Sequence, residues 1–194
     1  MTSKAQQREA TIGRLLEIAR DQFSEKGYAD AATEDIVRLA GVTRGALYHH
    51  FGSKEGLFLA ALDAVQRDVG QRVDAAAGSY ADSWEQLAAG CAAFLAASRD
   101  PQVQRIMLID APAVLGWAAW REIDRRYSMK ALREALEALA SQEELVEVSI
   151  DALTHLLSGA MNEAALWIAQ SNNPTALDEA VEALQRMVAA FRQR

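Results

Sequence analysis

Cysteine is almost missing. Cys91 stands alone in 194 residues, so no disulfide can form within the chain. A reducing cytoplasm is the expected setting. Proline occurs only three times, and β-branched residues are few beside alanine and leucine, which disfavours sheets and leaves helices as the default. No stretch of about 18 apolar residues is free of charge, so nothing predicts a transmembrane helix. The opening "MTSKAQQREATIGR" lacks the apolar centre of a secretory signal. A Gly-rich phosphate loop, a Ser/His/Asp or Cys/His set and a carboxylate pair in a motif context are all absent, so neither an enzyme nor a cofactor is expected. Excess positive charge is lacking too. The net charge is −7, an unpromising value for a nucleic-acid binder.

The distribution of charge matters more than its sum. Residues 1–54 carry eight Lys/Arg and seven Asp/Glu, and residues 55–194 carry twelve and twenty, so the acid lies in the long C-terminal part. Any affinity of the N-terminal part for phosphate must come from a local patch.

What remains is helical pattern with readable ends. Ile12, Leu15, Leu16, Ala19 and Phe23 follow helical spacing, and Gly27 stops that helix. Thr33 is a candidate N-cap for a short second helix whose apolar side is Ile36, Leu39 and Ala40, ended by Gly41. Thr43 caps a third at about 44–50, and Ser53 a fourth that extends toward Ala77. Asp82 and Glu85 read as a variant capping box for a helix with Trp84, Leu87, Cys91, Phe94 and Leu95. Asp100-Pro101 opens the next, which Pro112 interrupts. Trp117, Trp120, Ile123, Tyr127 and Ala131 mark one face of a long helix. Ser141 and Glu144 suggest a box opening a helix of 143–170, and Asn173-Pro174 opens the last. The fold class is therefore all-α, with nine helices: residues 1–54 as a small N-terminal domain, residues 55–194 as a larger one.

The stretch "GVTRGALYHHFGSKEGL" carries the chemistry. Two short helices joined by a tight Gly-containing turn form a helix-turn-helix pattern. Leu47 and Phe51 are i,i+4 neighbours and point to the core, so Gly45, Tyr48 and His49 turn outward. Arg44 lies in the first turn and is long enough to reach out. Small residues beside one guanidinium suit a recognition helix, whose N-terminal end meets base edges in the major groove. Arg44 can donate two hydrogen bonds to guanine, while Tyr48, Lys54 and the helix N-termini at Thr33, Thr43 and Ser53 face phosphate. A metal site fails on geometry, because neighbouring helical residues such as His49 and His50 diverge by about 100°.

These residues make a long ordered match. "ARDQFSEKGYADAATEDIVRLAGVTRGALYHHFGSKEGLF" resembles the DNA-binding region of the TetR family of transcriptional regulators, from about Ile12 to Leu62. The resemblance implies a homodimeric regulator of double-stranded operator DNA, with a C-terminal helical domain for a small-molecule effector and for dimerisation. It implies DNA contact by Thr33, Thr43, Arg44, Gly45, Tyr48, His49 and Lys54.

Trp117, Trp120, Tyr127 and His155 are candidates to enclose a largely apolar ligand, with Asn162 on the same helical face as His155. Leu177, Val181, Leu184 and Val188 form a stripe expected between subunits. A repressor released by its ligand is the first expectation. The alternatives are a helical ligand-binding protein without DNA activity, and a corepressor-dependent regulator or an activator.

Overall fold

A computed structural model of the chain describes residues 4–193. The polar opening therefore includes residues 1–3, which lie outside the described residues. The elements in order are α1 (Lys4–Asp30), α2 (Thr33–Ala40), α3 (Arg44–Phe51), α4 (Lys54–Ala77), α5 (Ser83–Ala97), a π-helical segment (Val103–Asp110), α6 (Ala111–Leu115), α7 (Trp117–Arg126), α8 (Ser128–Ser141), α9 (Ile150–Gln170) and α10 (Ala176–Ala189). The all-helical class holds, but there are ten α-helices among the described residues where the sequence predicts nine. None of the described helices is long and apolar enough to cross a membrane.

The chain divides into two compact units. The first comprises Met1–Val65 and Pro101–Val114; the second comprises Gln66–Asp100 and Leu115–Arg194. In the first, the helical stripe Leu15, Ala19 and Phe23 of α1 meets Ile36 and Ala40 of α2, Leu47 of α3 and Leu57, Phe58 and Leu62 of α4, all fully buried. Burial of this kind is worth roughly 1.5–3 kcal/mol for each large side chain. Phe23, Tyr28 and Phe58 form an aromatic triangle, with centroids 5.0–6.0 Å apart. Gly27 turns the chain within α1 at φ 78, ψ 166, a conformation that L side chains rarely adopt. The Arg105 guanidinium fills the space a Cβ would occupy there. Asp110 locks the bend: its carboxylate accepts from the Tyr28 N–H at 2.6 Å and pairs with Arg105 at 3.1 Å.

In the second unit, Leu87 and Leu95 of α5, Leu132, Leu136 and Leu139 of α8, Leu153, Leu157 and Met161 of α9, and Leu184 and Val188 of α10 form the core. The expected Asp82 cap is present, accepting from the Glu85 N–H at 2.9 Å.

Several boundaries differ from the sequence reading, each for a local reason. Ala32, not Thr33, is the N-cap of α2, because the Ala32 carbonyl already accepts from the Asp35 and Ile36 N–H groups. Leu39 is half exposed, and Val37 takes its place in the core. Pro112 does not interrupt its helix. The turns before it widen to a π-helix, where the Ala111 N–H reaches back to Ile106, and the break comes at Gly116 with φ 78. The long helix expected through Tyr127 is two helices, since Tyr127 leaves the helical region at φ −112, ψ −89. The Ser141 box does not form. Glu143 takes a positive φ of 58, and the stretch after it pairs with the chain end through Val146 N–H to Phe191 and Gln193 N–H to Glu144. The α9 helix starts later, with Ser149 accepting from the Ala152 N–H at 3.3 Å. The α10 helix begins after Thr175, not at Pro174.

Candidate nucleic-acid interface and apolar cavity

The turn between α2 and α3 is built by Gly41, whose φ of 67 is left-handed. Its N–H bonds the Arg38 carbonyl and the Val42 N–H bonds Val37, the paired arrangement that ends a helix at glycine. Thr43 then starts α3, its hydroxyl accepting from the Ala46 N–H at 3.2 Å. Within α3 the faces separate cleanly. Leu47 is fully buried, while Arg44, Gly45, Tyr48 and His49 are exposed, so all four outward residues expected from the sequence share one open side. Phe51 is half-buried behind them.

The Arg44 guanidinium is held in place. It pairs with Glu34 at 3.0 Å, donates to the Tyr48 hydroxyl at 3.4 Å and lies 5.4 Å from the Tyr48 ring centre. The i,i+4 spacing of Arg44 and Tyr48 puts both on one stripe. The backbone N–H of Glu34 itself, then the Thr33 hydroxyl, with a smaller pull from Arg44, hold the Glu34 carboxyl below its ordinary value. Glu34 is therefore an anion beside the cation.

The remaining expected contacts are placed unevenly. Thr43 is exposed, but Thr33 is only 8% exposed and donates its hydroxyl to Glu34 at 3.1 Å. Lys54 donates to the Ala29 carbonyl at 3.1 Å and lies 4.7 Å from the Tyr28 ring centre. Ser53 caps α4 by accepting from the Gly56 N–H at 2.9 Å. His50 lies half-buried between His49 and Phe51, its Nδ1 buried without a partner. Among the described residues no three His, Cys, Asp or Glu side chains gather as a metal site would require.

The second unit contains a cavity of about 440 Å³. Its walls come from α4, α5, the end of α7 at Arg126, α8 and α9. Val69, Leu87, Phe94, Leu132 and Met161 line it and are buried, so its interior is apolar. Cys91 is on the wall too, and burial pushes its thiol up to about 12, so it remains protonated. Gln66 adds a polar group, at 1% exposure.

Of the five residues expected to hold a ligand, only Tyr127 lines this cavity. Trp117 is 67% exposed, and its ring lies 4.9 Å from that of the buried Trp120. His155 is exposed, its Nδ1 2.8 Å from the Asp151 carbonyl one turn back. Tyr127 leaves the helical region between α7 and α8, and Trp117, Trp120, His155 and Asn162 are not on the lining of this cavity. Trp120 and Asn162 instead border a buried polar network that the sequence reading missed. Asp124, fully buried, accepts through one oxygen from Arg121 at 2.6 Å, Asn162 at 3.2 Å and Ser158 at 3.3 Å. Burial raises the Asp124 carboxyl above its ordinary value, against the opposing pull of Arg121 and the two hydrogen bonds. A signal existed: residues 117, 120 and 124 share a helical face, and so do 158 and 162.

The expected stripe on α10 is partly consumed within the chain. Leu184 and Val188 are 5% and 4% exposed, because α10 packs on α5 and α9; Leu177 and Val181 are half-buried at the border. The face left open is different. Leu156 is 71%, Trp167 45% and Met187 48% exposed, and Gly159 is exposed between the first two.

Comparison with known proteins assigns both parts of the chain. The family model for bacterial regulatory proteins of the tetR family matches residues 15–61, and that for the tetracyclin repressor-like C-terminal domain matches residues 84–191. A crystal structure of a TetR-family transcriptional regulator from Pectobacterium atrosepticum superposes with a TM-score of 0.84 at 35% identity, covering 100% of this chain and 99% of that one. The transposon Tn10 TetC protein of Escherichia coli is 28% identical over 165 residues, 82% of each chain. The HTH-type transcriptional regulator TtgR of Pseudomonas putida is 44% identical over 55 residues, 28% of this chain and 26% of TtgR.

Proposed function

The chain belongs to the TetR family of transcriptional regulators, and from that premise we propose that it is a dimeric repressor released from a palindromic operator by a small, largely apolar ligand. Residues 1–54 act as the DNA-binding part and residues 55–194 as the effector-binding and dimerisation part. The observation that carries the reading is the open side of α3, where Arg44, Gly45, Tyr48 and His49 stand together over the buried Leu47. Arg44 reads a base edge after exchanging Glu34 for guanine. Gly45 lets the backbone come close. Tyr48, His49, Thr43 and Lys54 contact phosphate and sugar, and the first turn of α2 at Thr33 offers backbone N–H groups to another phosphate.

Two such units read two half-sites whose centres lie about 10 base pairs apart, or a multiple of that. The dimer seam is the open apolar face of α9 and α10, with Leu156, Trp167 and Met187 at its centre and Leu177 and Val181 at its border. Leu156 and Trp167, eleven residues apart, share one face of α9, and large apolar side chains left open together call for a partner. The ligand occupies the cavity lined by Phe94 and Tyr127. The α4 helix carries both Lys54 and the cavity residue Gln66, so a ligand that shifts α4 alters DNA binding. It does so only by favouring the conformation that does not bind DNA. A hundredfold preference corresponds to about 2.7 kcal/mol of coupling.

A gel-shift with the DNA upstream of the chain's own gene tests the reading. A specific, salt-sensitive complex is expected. A folded protein that binds ligands yet shows no preference for any DNA would mark a helical ligand-binding protein instead. Titrating a ligand with and without operator separates the remaining readings: weaker binding with operator means an inducer, tighter binding a corepressor.

A further inference from the structure

Gln66 is out of character with its surroundings. It sits on the wall of the apolar cavity, 1% exposed, and both its Oε1 and its Nε2 are buried without a hydrogen-bond partner. Two unpaired polar atoms on one buried side chain are costly, and such groups in a folded protein call for an explanation. The side chain offers one acceptor and one donor next to each other. The ligand that satisfies both must present a donor and an acceptor side by side, as an N–H and an oxygen on one carbon do. Other buried lining residues, including Val69, Leu87, Phe94, Leu132 and Met161, ask for an apolar body. The charged groups on the lining are solvent-exposed, and among them Lys130 and Glu134 already pair at 3.7 Å. A ligand anion held beside Gln66 would therefore be desolvated with no buried cation to meet it.

We infer that the effector of this chain is a neutral apolar molecule carrying an amide-type edge, such as a primary amide, lactam or imide, which pairs in a two-hydrogen-bond array with the Gln66 carboxamide. The inference rests on the reading of the cavity as the effector site. It makes Gln66 the residue that sets specificity. A ligand of the same shape without the paired edge leaves the carboxamide unmatched, and sites built to hydrogen-bond a ligand reject analogues for that reason.

The test uses the full chain and three probes of one shape: para-butylbenzamide, para-butylacetophenone and para-butylbenzoate. Each is titrated against protein loaded with the neutral fluorophore N-phenyl-naphthylamine. The amide displaces it at a concentration lower by about tenfold or more than the ketone, the loss expected for unpaired buried groups, and the benzoate is the weakest. Gln66→Leu and the volume-matched Gln66→Met abolish the difference between amide and ketone while keeping fluorophore binding. Both variants unfold at temperatures no lower than the wild type, because unpaired polar atoms have been removed. If the fluorophore binds but amide and ketone displace it equally in the wild type, the Gln66 inference is overturned and the effector-site reading survives. If the fluorophore shows no saturable binding that the probes reverse, the effector-site reading itself falls.

Discussion

The outward side of α3 and the interior of the cavity are both made by helices, but they are encoded differently. The α3 side is written in consecutive residues, Arg44 to His49. Once Leu47 is known to be buried, helical geometry alone turns Gly45, Tyr48 and His49 outward. The cavity collects side chains from Gln66 to Met161, across five helices. Its lining depends on where each helix ends and in which direction the next one leaves. A recognition surface is thus a property of one helix, whereas a cavity is a property of the turns between several.

That contrast can be broken first on α10. Leu184→Glu puts an unpaired charge into the core of the second unit and is expected to cost on the order of several kcal/mol, enough to abolish its cooperative unfolding. Trp167→Glu, on the open face, leaves each chain folded but yields monomers in sedimentation, and operator affinity collapses because the second half-site is lost. A Trp167→Glu variant that stays dimeric moves the seam elsewhere, and a Leu184→Glu monomer with wild-type stability would return it to the expected stripe.

The next effect concerns Asp124. Its folded-state carboxyl is raised by burial, so the ionised form is disfavoured in the folded chain. No cost exists below the ordinary carboxylate pKa, where both states are protonated. The cost grows as pH rises from there through the raised value, and it is fully present above it. Compared with Asp124→Asn, the wild type should therefore gain relative stability as pH falls through the carboxylate range. Urea unfolding of the pair at several pH values measures this. A difference that ignores pH, or a wild type that gains relative stability toward neutrality, contradicts the assignment.

The smallest effect sharpens the α3 side. Lys54→Ala should weaken binding to all DNA sequences alike and lower the salt dependence by about one unit of slope. Because Lys54 also caps the Ala29 carbonyl and lies on the Tyr28 ring, a small loss of stability accompanies it. Unchanged salt slope with altered base preference would remove Lys54 from the phosphate contacts.

Most of the first unit was legible, for physical reasons. Gly27 and Gly41 mark turns that need positive φ, Thr43 and Ser53 provide capping hydroxyls, and the apolar spacing of α1 fits a single face. The misses there are Ala32 capping in place of Thr33, Val37 buried in place of Leu39, and the π-helical turn that precedes Pro112. In the second unit the errors are larger. Tyr127 and Glu143 depart from helical geometry without glycine or proline to announce it. Those turns decide the cavity, which Tyr127 lines and Trp117 and His155 do not. The Arg121–Asp124 network was hidden because its partners lie on α9, far along the chain.

The central claim is that the open side of α3 reads DNA through Arg44. Its most direct test is selection of bound sequences from a random DNA pool, carried out in parallel with the wild type and Arg44→Ala at one salt concentration. The expected result is a palindrome for the wild type and, for the variant, the same palindrome with relaxed preference at one position in each half-site, a loss of about 1–3 kcal/mol there. Identical preferences at every position, or a uniform loss on all sequences, would contradict base reading by Arg44.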